Sequence, residues 1–246
     1  MSLLRTELRK VLTLRSTYVV TILTLLLAGA VNFWGMGYKY HGGANPHYMF
    51  DNIIGSFNGV GIFSGIVAIL LATHEYRYNT IFYTLTANRS RSGVLLAKAA
   101  VVTSYAVVFV ALVALVSYAA LMLGLHLGHH SVGPQSVAYG QMIWRGLFYI
   151  WGMGMFGLLI ALLVRNQIGT IVLYLLTPGT VETLASLLLK ENAKFLPFTA
   201  LGNVVAQPMF SAQKMVPINE SAFIALGWIV ALSLVAWLLF LRRDAN

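Results

Sequence analysis

Apolar residues run through this chain in six long blocks separated by polar or aromatic stretches. The blocks fall at about residues 17–34, 53–73, 99–123, 143–164, 168–189 and 222–241. Each is close to the roughly 20 residues that an α-helix needs to cross a hydrocarbon layer. Ahead of the first block, residues 1–16 place Leu3, Leu4, Leu8, Val11 and Leu12 at helical spacing, with Arg5, Glu7, Arg9 and Lys10 on the other side. This is the pattern of an amphipathic helix lying in a headgroup layer. A cleaved leader is the rival, since Ala28-Gly29-Ala30 follows Leu25-Leu26-Leu27, but the basic region here is long and amphipathic, which argues against it. The expected fold is all-α and membrane-embedded: an interfacial helix and six spans in one domain over residues 1–246.

Within the blocks, several positions break the apolar run. Gly55, Gly59, Gly61 and Gly65 give the second block two small-xxx-small spacings. Such spacings let helices approach closely, either within one subunit or across a dimer seam. Trp144 and Arg145 open the fourth block, where an arginine can snorkel to headgroups. Arg165, Asn166 and Gln167 make a very short turn between two antiparallel helices. In the fifth block Thr177-Pro178-Gly179 precedes Glu182. A straight helix would lift Glu182 about 21 Å above Ile168, inside the hydrocarbon layer, where an acid is a functional candidate. Alternatively Pro178 and Gly179 break the helix and Glu182 opens a new one, with its charge at the positive end. The stretch from 190 to 220 holds Phe195-Leu196-Pro197-Phe198, too apolar for a free loop, and predicts short helices on the outer side.

Composition and charge sharpen this picture. The chain is 59% hydrophobic and 9% charged, against about 25% charged in soluble domains. Cysteine is absent, which removes disulfides, thiolate metal sites and a cysteine nucleophile. The net charge of +9 follows the membrane rather than a nucleic acid, because no basic patch is interleaved with aromatics. Six spans put both termini on one side, with Arg5, Arg9, Lys10, Arg15, Arg77, Arg89, Arg91, Lys98, Arg165, Arg242 and Arg243. The opposite side receives Lys39, Arg145, Lys190, Lys194 and Lys214. That bias predicts cytoplasmic termini in a multi-pass protein of the plasma membrane.

Enzyme chemistry is hard to assemble from this inventory. The sequence has no phosphate-binding Gly-x-x-x-x-Gly-Lys-[Ser/Thr] loop, no His-Glu-x-x-His pair and no Gly-x-Ser-x-Gly elbow. His126, His129 and His130 share one loop, but no cysteine or nearby carboxylate completes a metal set. No catalytic or metal-binding residue is expected.

The longest polar interruption on the cytoplasmic side, residues 74–98, is different in kind. Glu75 opens it, Arg89, Arg91 and Lys98 close it, and Ile81, Phe82 and Leu85 form one apolar face between them. Lipid anchoring explains the basic residues but not that face, which calls for a membrane surface or a protein groove. The residues Glu75-Tyr76-Arg77-Tyr78-Asn79-Thr80, then Leu85-Thr86, Ser90-Arg91 and Lys98, together with the order of elements, resemble a permease of the ATP-binding-cassette transporters, type-2 exporter class. Members of that family usually carry glycine where Asn79 stands and proline near Asn88. Phe195-Leu196-Pro197-Phe198 is similar to the family's leucine-proline step before the last span.

The resemblance implies a coupling helix within residues 76–87 that docks on a separate ATPase subunit through Glu75, Arg77, Asn79, Thr80, Ile81, Phe82, Leu85, Thr86, Arg89 and Arg91. ATP and Mg would bind on that partner, and this chain would carry no cofactor. It implies a second permease copy, identical or related, and a prokaryotic plasma membrane. The substrate path would lie along the second and fifth spans, near Phe57, Asn58, Tyr174, Thr177 and Glu182. The cargo would be an amphipathic or hydrophobic molecule (a drug, peptide antibiotic, lipid or glycolipid) moved out of the cytoplasm. The competing reading is a membrane sensor or scaffold whose loop binds a signalling partner.

Overall fold

The computed structural model describes residues 3–42, 45–77, 91–206 and 216–242, and these form helices with no strand. Helix α1 (Leu3–Thr13) is followed by α2 (Arg15–Ala30), which runs on as a π-helix over Val31–Tyr38. Then come α3 (Tyr48–Arg77), α4 (Arg91–Leu127) and α5 (Tyr139–Val164). The fifth span is composite: α6 (Gln167–Leu176), a π-turn (Thr177–Val181), α7 (Glu182–Leu189) and a 3₁₀ turn (Lys190–Phe195). The short α8 (Pro197–Val205) and the last span α9 (Ile218–Arg242) complete the order. Six helical stretches are long and apolar enough to cross a membrane: Arg15–Tyr38, Tyr48–Tyr76, Ser92–Leu127, Tyr139–Val164, Gln167–Phe195 and Ile218–Leu239. The protein is an all-α, multi-pass membrane protein.

The helices depart from the apolar blocks in two places that bear on the charged residues. Helices α3 and α4 have 30 and 37 residues, about 45 and 55 Å at 1.5 Å per residue, well beyond a hydrocarbon layer of about 30 Å. Both ends of the polar stretch at 74–98 are therefore rooted in helix. Pro178 does not break the fifth span: a wider π-turn carries the chain past it, which accommodates the missing N–H and the ring. Glu182 then opens α7.

At the centre, α3 packs on α5, and glycine makes this possible. A Cβ on Gly157 would stand 2.4 Å from the Gly65 carbonyl oxygen, so the two backbones touch. Gly61 faces the Tyr149 ring and Gly65 also faces the Tyr174 hydroxyl. Ser64 Oγ donates to the Ile150 carbonyl at 3.0 Å across the same seam. Of the two small-residue spacings in α3, the inner one therefore serves packing within the subunit, while Gly55 is exposed and Gly59 opens on empty space. The core around the seam is Ile54, Phe57, Ile69, Phe109, Phe156, Leu158 and Tyr174. A second close approach joins the π-helix of the first span to α4, where Gly37 lies against the Gly124 backbone.

The seam makes a direct prediction. Gly157→Ala must push two backbones apart and lowers stability by about 1–3 kcal/mol, whereas Gly59→Ala and Gly227→Ala, with nothing within 4 Å, leave it unchanged or raise it. Thermal unfolding of the detergent-solubilised protein checks this, and equal melting temperatures for all three variants would contradict the seam.

Candidate functional site

Two sets of charged side chains are built into opposite ends of the bundle. At the end that carries both termini, α1 brings Glu7 and Lys10 one turn apart, α3 brings Glu75 from its last turn, and α4 brings Lys98. Lys10 Nζ lies 2.6 Å from Glu7 Oε1 and also pairs with Glu75 Oε1. Lys98 Nζ lies 2.8 Å from Glu75 Oε2 and 3.4 Å from Glu7 Oε2. Glu7, Glu75 and Lys98 are buried, at 5%, 2% and 5% exposure. Among the described residues two acids and two bases form a neutral set, so no net charge is carried into a low-dielectric site. Burial alone would lower the Lys10 pKa, but hydrogen bonds and charge from Glu7 and Glu75 outweigh it and raise the value above 10.5.

This arrangement corrects the face expected of α1. Glu7 and Lys10 do not join Arg5 and Arg9 on an outward polar side; they turn inward, beside Leu8, Val11 and Leu14, which pack against Val67, Leu71 and Val101. Leu4 and Leu12 are exposed instead. The helix thus has a protein-facing stripe of mixed charge and apolar contact, with Arg5 and Arg9 outside it. Nearby, Arg165 takes a left-handed backbone at the end of α5 and lays its guanidinium 5.8 Å from the Tyr76 ring. Asn166 caps α6 by accepting from the Gly169 N–H at 2.9 Å, which explains so short a turn. The roots of the 74–98 stretch are tied to α1, and Tyr76 in addition meets the α5–α6 turn.

At the far end the short helix α8 is held at both termini. The Glu182 carboxylate accepts from the Phe198 N–H at 2.8 Å, the Thr199 N–H at 2.6 Å and the Thr199 hydroxyl at 2.7 Å. At the other terminus Arg145 donates from Nε to the Val204 carbonyl at 2.7 Å and from Nη2 to the Ala206 carbonyl at 2.9 Å. An anion at the helix N-terminus and a cation at its C-terminus match the helix dipole. Both are buried, Arg145 at 7% and Glu182 at 4% exposure. The expectation that Arg145 snorkels to headgroups is thus overturned: orphan carbonyls of α8 lie nearer than the headgroups, and buried carbonyls need donors. Phe198 fixes α8 further, its ring 4.9 Å from Phe156 and 5.6 Å from Tyr174.

The fold separates the residues singled out from the sequence. Phe57 and Tyr174 lie deep in the subunit's own core, at 1% and 0% exposure; Asn58 is exposed, and Thr177 is half-buried with its hydroxyl on the Leu173 carbonyl at 2.7 Å. Glu182 is occupied by α8. Asn79, Thr80, Ile81, Phe82, Leu85, Thr86 and Arg89 lie outside the described residues, while Arg77 ends α3 and Arg91 begins α4. His130 sets Nε2 3.1 Å from the Tyr38 carbonyl and packs edge-on to Tyr40 and His41. Among the described residues no three His, Asp or Glu gather closely enough to hold a metal ion. Glu7, Lys10 and Arg145 belong to these charged sets, yet no motif in the sequence marks them. One signal does point to Glu7 and Lys10: with seven acidic residues in the chain, an acid that leaves water needs a cation or a set of N–H donors to answer it.

Three substitutions probe these sets. Lys98→Met leaves two buried carboxylates facing one lysine and costs about 3–5 kcal/mol; adding Glu7→Gln restores the charge balance and recovers most of the loss. Glu182→Gln removes the charge that receives three donors and costs about 1–3 kcal/mol. All three variants are read as melting temperatures in detergent, and a Lys98→Met protein as stable as the parent would contradict the ion set.

Against known proteins, the family model described as ABC-2 family transporter protein matches residues 3–178. No curated protein matches the chain. The matched span runs from α1 through the first five helices of the bundle to the π-turn of the fifth span, taking in Glu7, Lys10, Glu75, Lys98 and Arg145. A multi-pass helical membrane protein with that match over most of its length is a membrane permease of an ABC transporter, a transport subunit whose family implies an ABC ATPase partner, and the chain belongs to the ABC-2 transporter family.

Proposed function

We propose that this chain is the permease of an ATP-driven exporter and that residues 75–91 are its contact with the ATPase. The observation that supports the reading most is the ion set at the root of that stretch. Glu75 and Lys98 stand on the two helices that enter and leave it, and they pair with each other and with Glu7 and Lys10 of α1. A force applied to the stretch is then delivered to α1, α3 and α4 as one body, rather than lost in bending a loop. The side carrying both termini is the cytoplasmic one in this reading, as the excess of Lys and Arg there requires.

The partner binds ATP with Mg and hydrolyses it, while Ile81, Phe82 and Leu85 supply the apolar face that seats in its groove, flanked by Arg77, Asn79, Thr80, Thr86, Arg89 and Arg91. Closure of the ATPases pushes this face, and the rooted helices rock between inward-open and outward-open packings. A second permease copy, identical or related, completes the path. Cargo is amphipathic or hydrophobic and moves outward. Asn58 and Thr177 remain the positions where the second and fifth spans would meet it, whereas Phe57, Tyr174 and Glu182 would act by holding those spans in shape.

Phe82→Asp or Leu85→Asp puts a charge on the docking face. Each is expected to abolish co-purification of the ATPase and transport, while the protein still inserts and stays monodisperse. Normal recovery of the ATPase with either variant would sink the docking role.

A further inference from the structure

We infer that the cargo carries no anionic group on the portion that crosses the bilayer, which narrows its class to neutral or cationic amphiphiles. This rests on the permease reading above and deepens it. Among the described residues, Lys98, Arg145 and Glu182 are the charged side chains standing more than five residues inside a span. All three are more than nine-tenths buried. Each is turned to a partner within the subunit: Lys98 to Glu7 and Glu75, Arg145 to the last carbonyls of α8, and Glu182 to its first N–H groups. Whichever face of the bundle lines the path, the described surface of this chain offers it no ionic group at that depth. A second copy of the chain repeats the same surface.

What the spans do expose is apolar side chains and neutral polar groups. Val172, Leu173, Leu176 and Leu184 are exposed along the fifth span, and Asn58 presents its amide on α3. Exposed hydroxyls on the same bundle are partly used: Ser104 and Thr183 donate to their own helix carbonyls at 2.9 and 3.1 Å, which leaves their oxygens able to accept. Such a surface can satisfy hydroxyl, amide or ether groups on an apolar body. The exposed rings of Trp34, Tyr118, Trp228 and Trp237 can also face a cation, but nothing on this surface compensates a phosphate or a carboxylate, whose transfer to membrane depth is costly without a counter-charge.

The test uses the permease purified with the ATPase it captures and reconstituted into liposomes. The probes are two fluorescent single-tail amphiphiles identical except for the head: a glucoside and a phosphate. ATP-dependent movement of the glucoside should exceed that of the phosphate by about tenfold or more. Movement of the phosphate at the glucoside's rate or above, or movement of neither, overturns the inference. Failure of the permease reading has its own signature, since no ATPase would then co-purify and ATP would drive nothing.

Discussion

A carboxylate or an ammonium loses several kcal/mol of solvation on leaving water, and Glu7, Glu75 and Lys98 have all left it. They are stable where they are because they meet one another and Lys10 in a set that sums to zero. Position follows from this electrostatic condition. Helix α1 packs Leu8 and Val11 against the bundle while Leu4 and Leu12 point away from it, so apolar contact fixes its rotation only in part. Its register on the bundle is set by where Glu7 and Lys10 find counter-charges. The same condition ties α3 to α4 through Glu75 and Lys98, a single residue from each root being enough to join two long helices. The far end obeys it with different means: the termini of α8 supply partial charges that answer Glu182 and Arg145.

Between those two ends lies packing of another kind. The Gly65–Gly157 contact brings α3 and α5 together at backbone distance, and close-packed seams of this sort do not deform gradually. Motion of α3 would therefore carry α5, and through Arg145 the C-terminal end of α8. The fifth span reaches the other end of α8 through Glu182. Its π-turn at Thr177–Val181 sits immediately before that acid, so this irregular turn lies at the point where the span is pinned. A bundle with ionic ties at both ends and a stiff seam between them favours a few discrete packings over a continuum.

The bundle was legible in the sequence because a hydrocarbon layer imposes a length that apolar blocks must match. The short turn at Arg165-Asn166-Gln167 and the α8 region around Pro197 were legible for similar local reasons; at Glu182 the sequence left two readings open, and the structure joins parts of both, with a helix opening at the acid and a π-turn bridging the break expected at Pro178-Gly179. Pairing between charges was not. Periodicity places Glu7 on the polar side of α1, and nothing in residues 1–16 says that the ammonium of Lys98, on a distant helix, will face it. Arg145 misled for the same reason: snorkelling is the default for an arginine near a span end, and the free carbonyls that claim it belong to Val204 and Ala206. Gly55 and Gly59 against Gly61 and Gly65 is a further case, since both pairs carry one pattern and only the fold assigns one to the interior and the other to an open face.

The distribution of charge also separates two tasks that a transporter has to perform. Ionic groups are strong, directional and costly to bury, so they suit a fixed joint that must keep its geometry while helices move. Recognition of a passing molecule needs the opposite: contacts weak enough to release it and available in both packings. By committing Glu75 and Lys98 to the joint at the end that carries both termini, and Arg145 and Glu182 to the far clamp, the chain leaves its exposed spans to apolar side chains and to neutral groups such as the Asn58 amide. Selection on such a surface rests on shape and on hydrogen bonding. On the path proposed above, a change of cargo would follow from altering side-chain size along α3 and the fifth span, with the charged framework left in place.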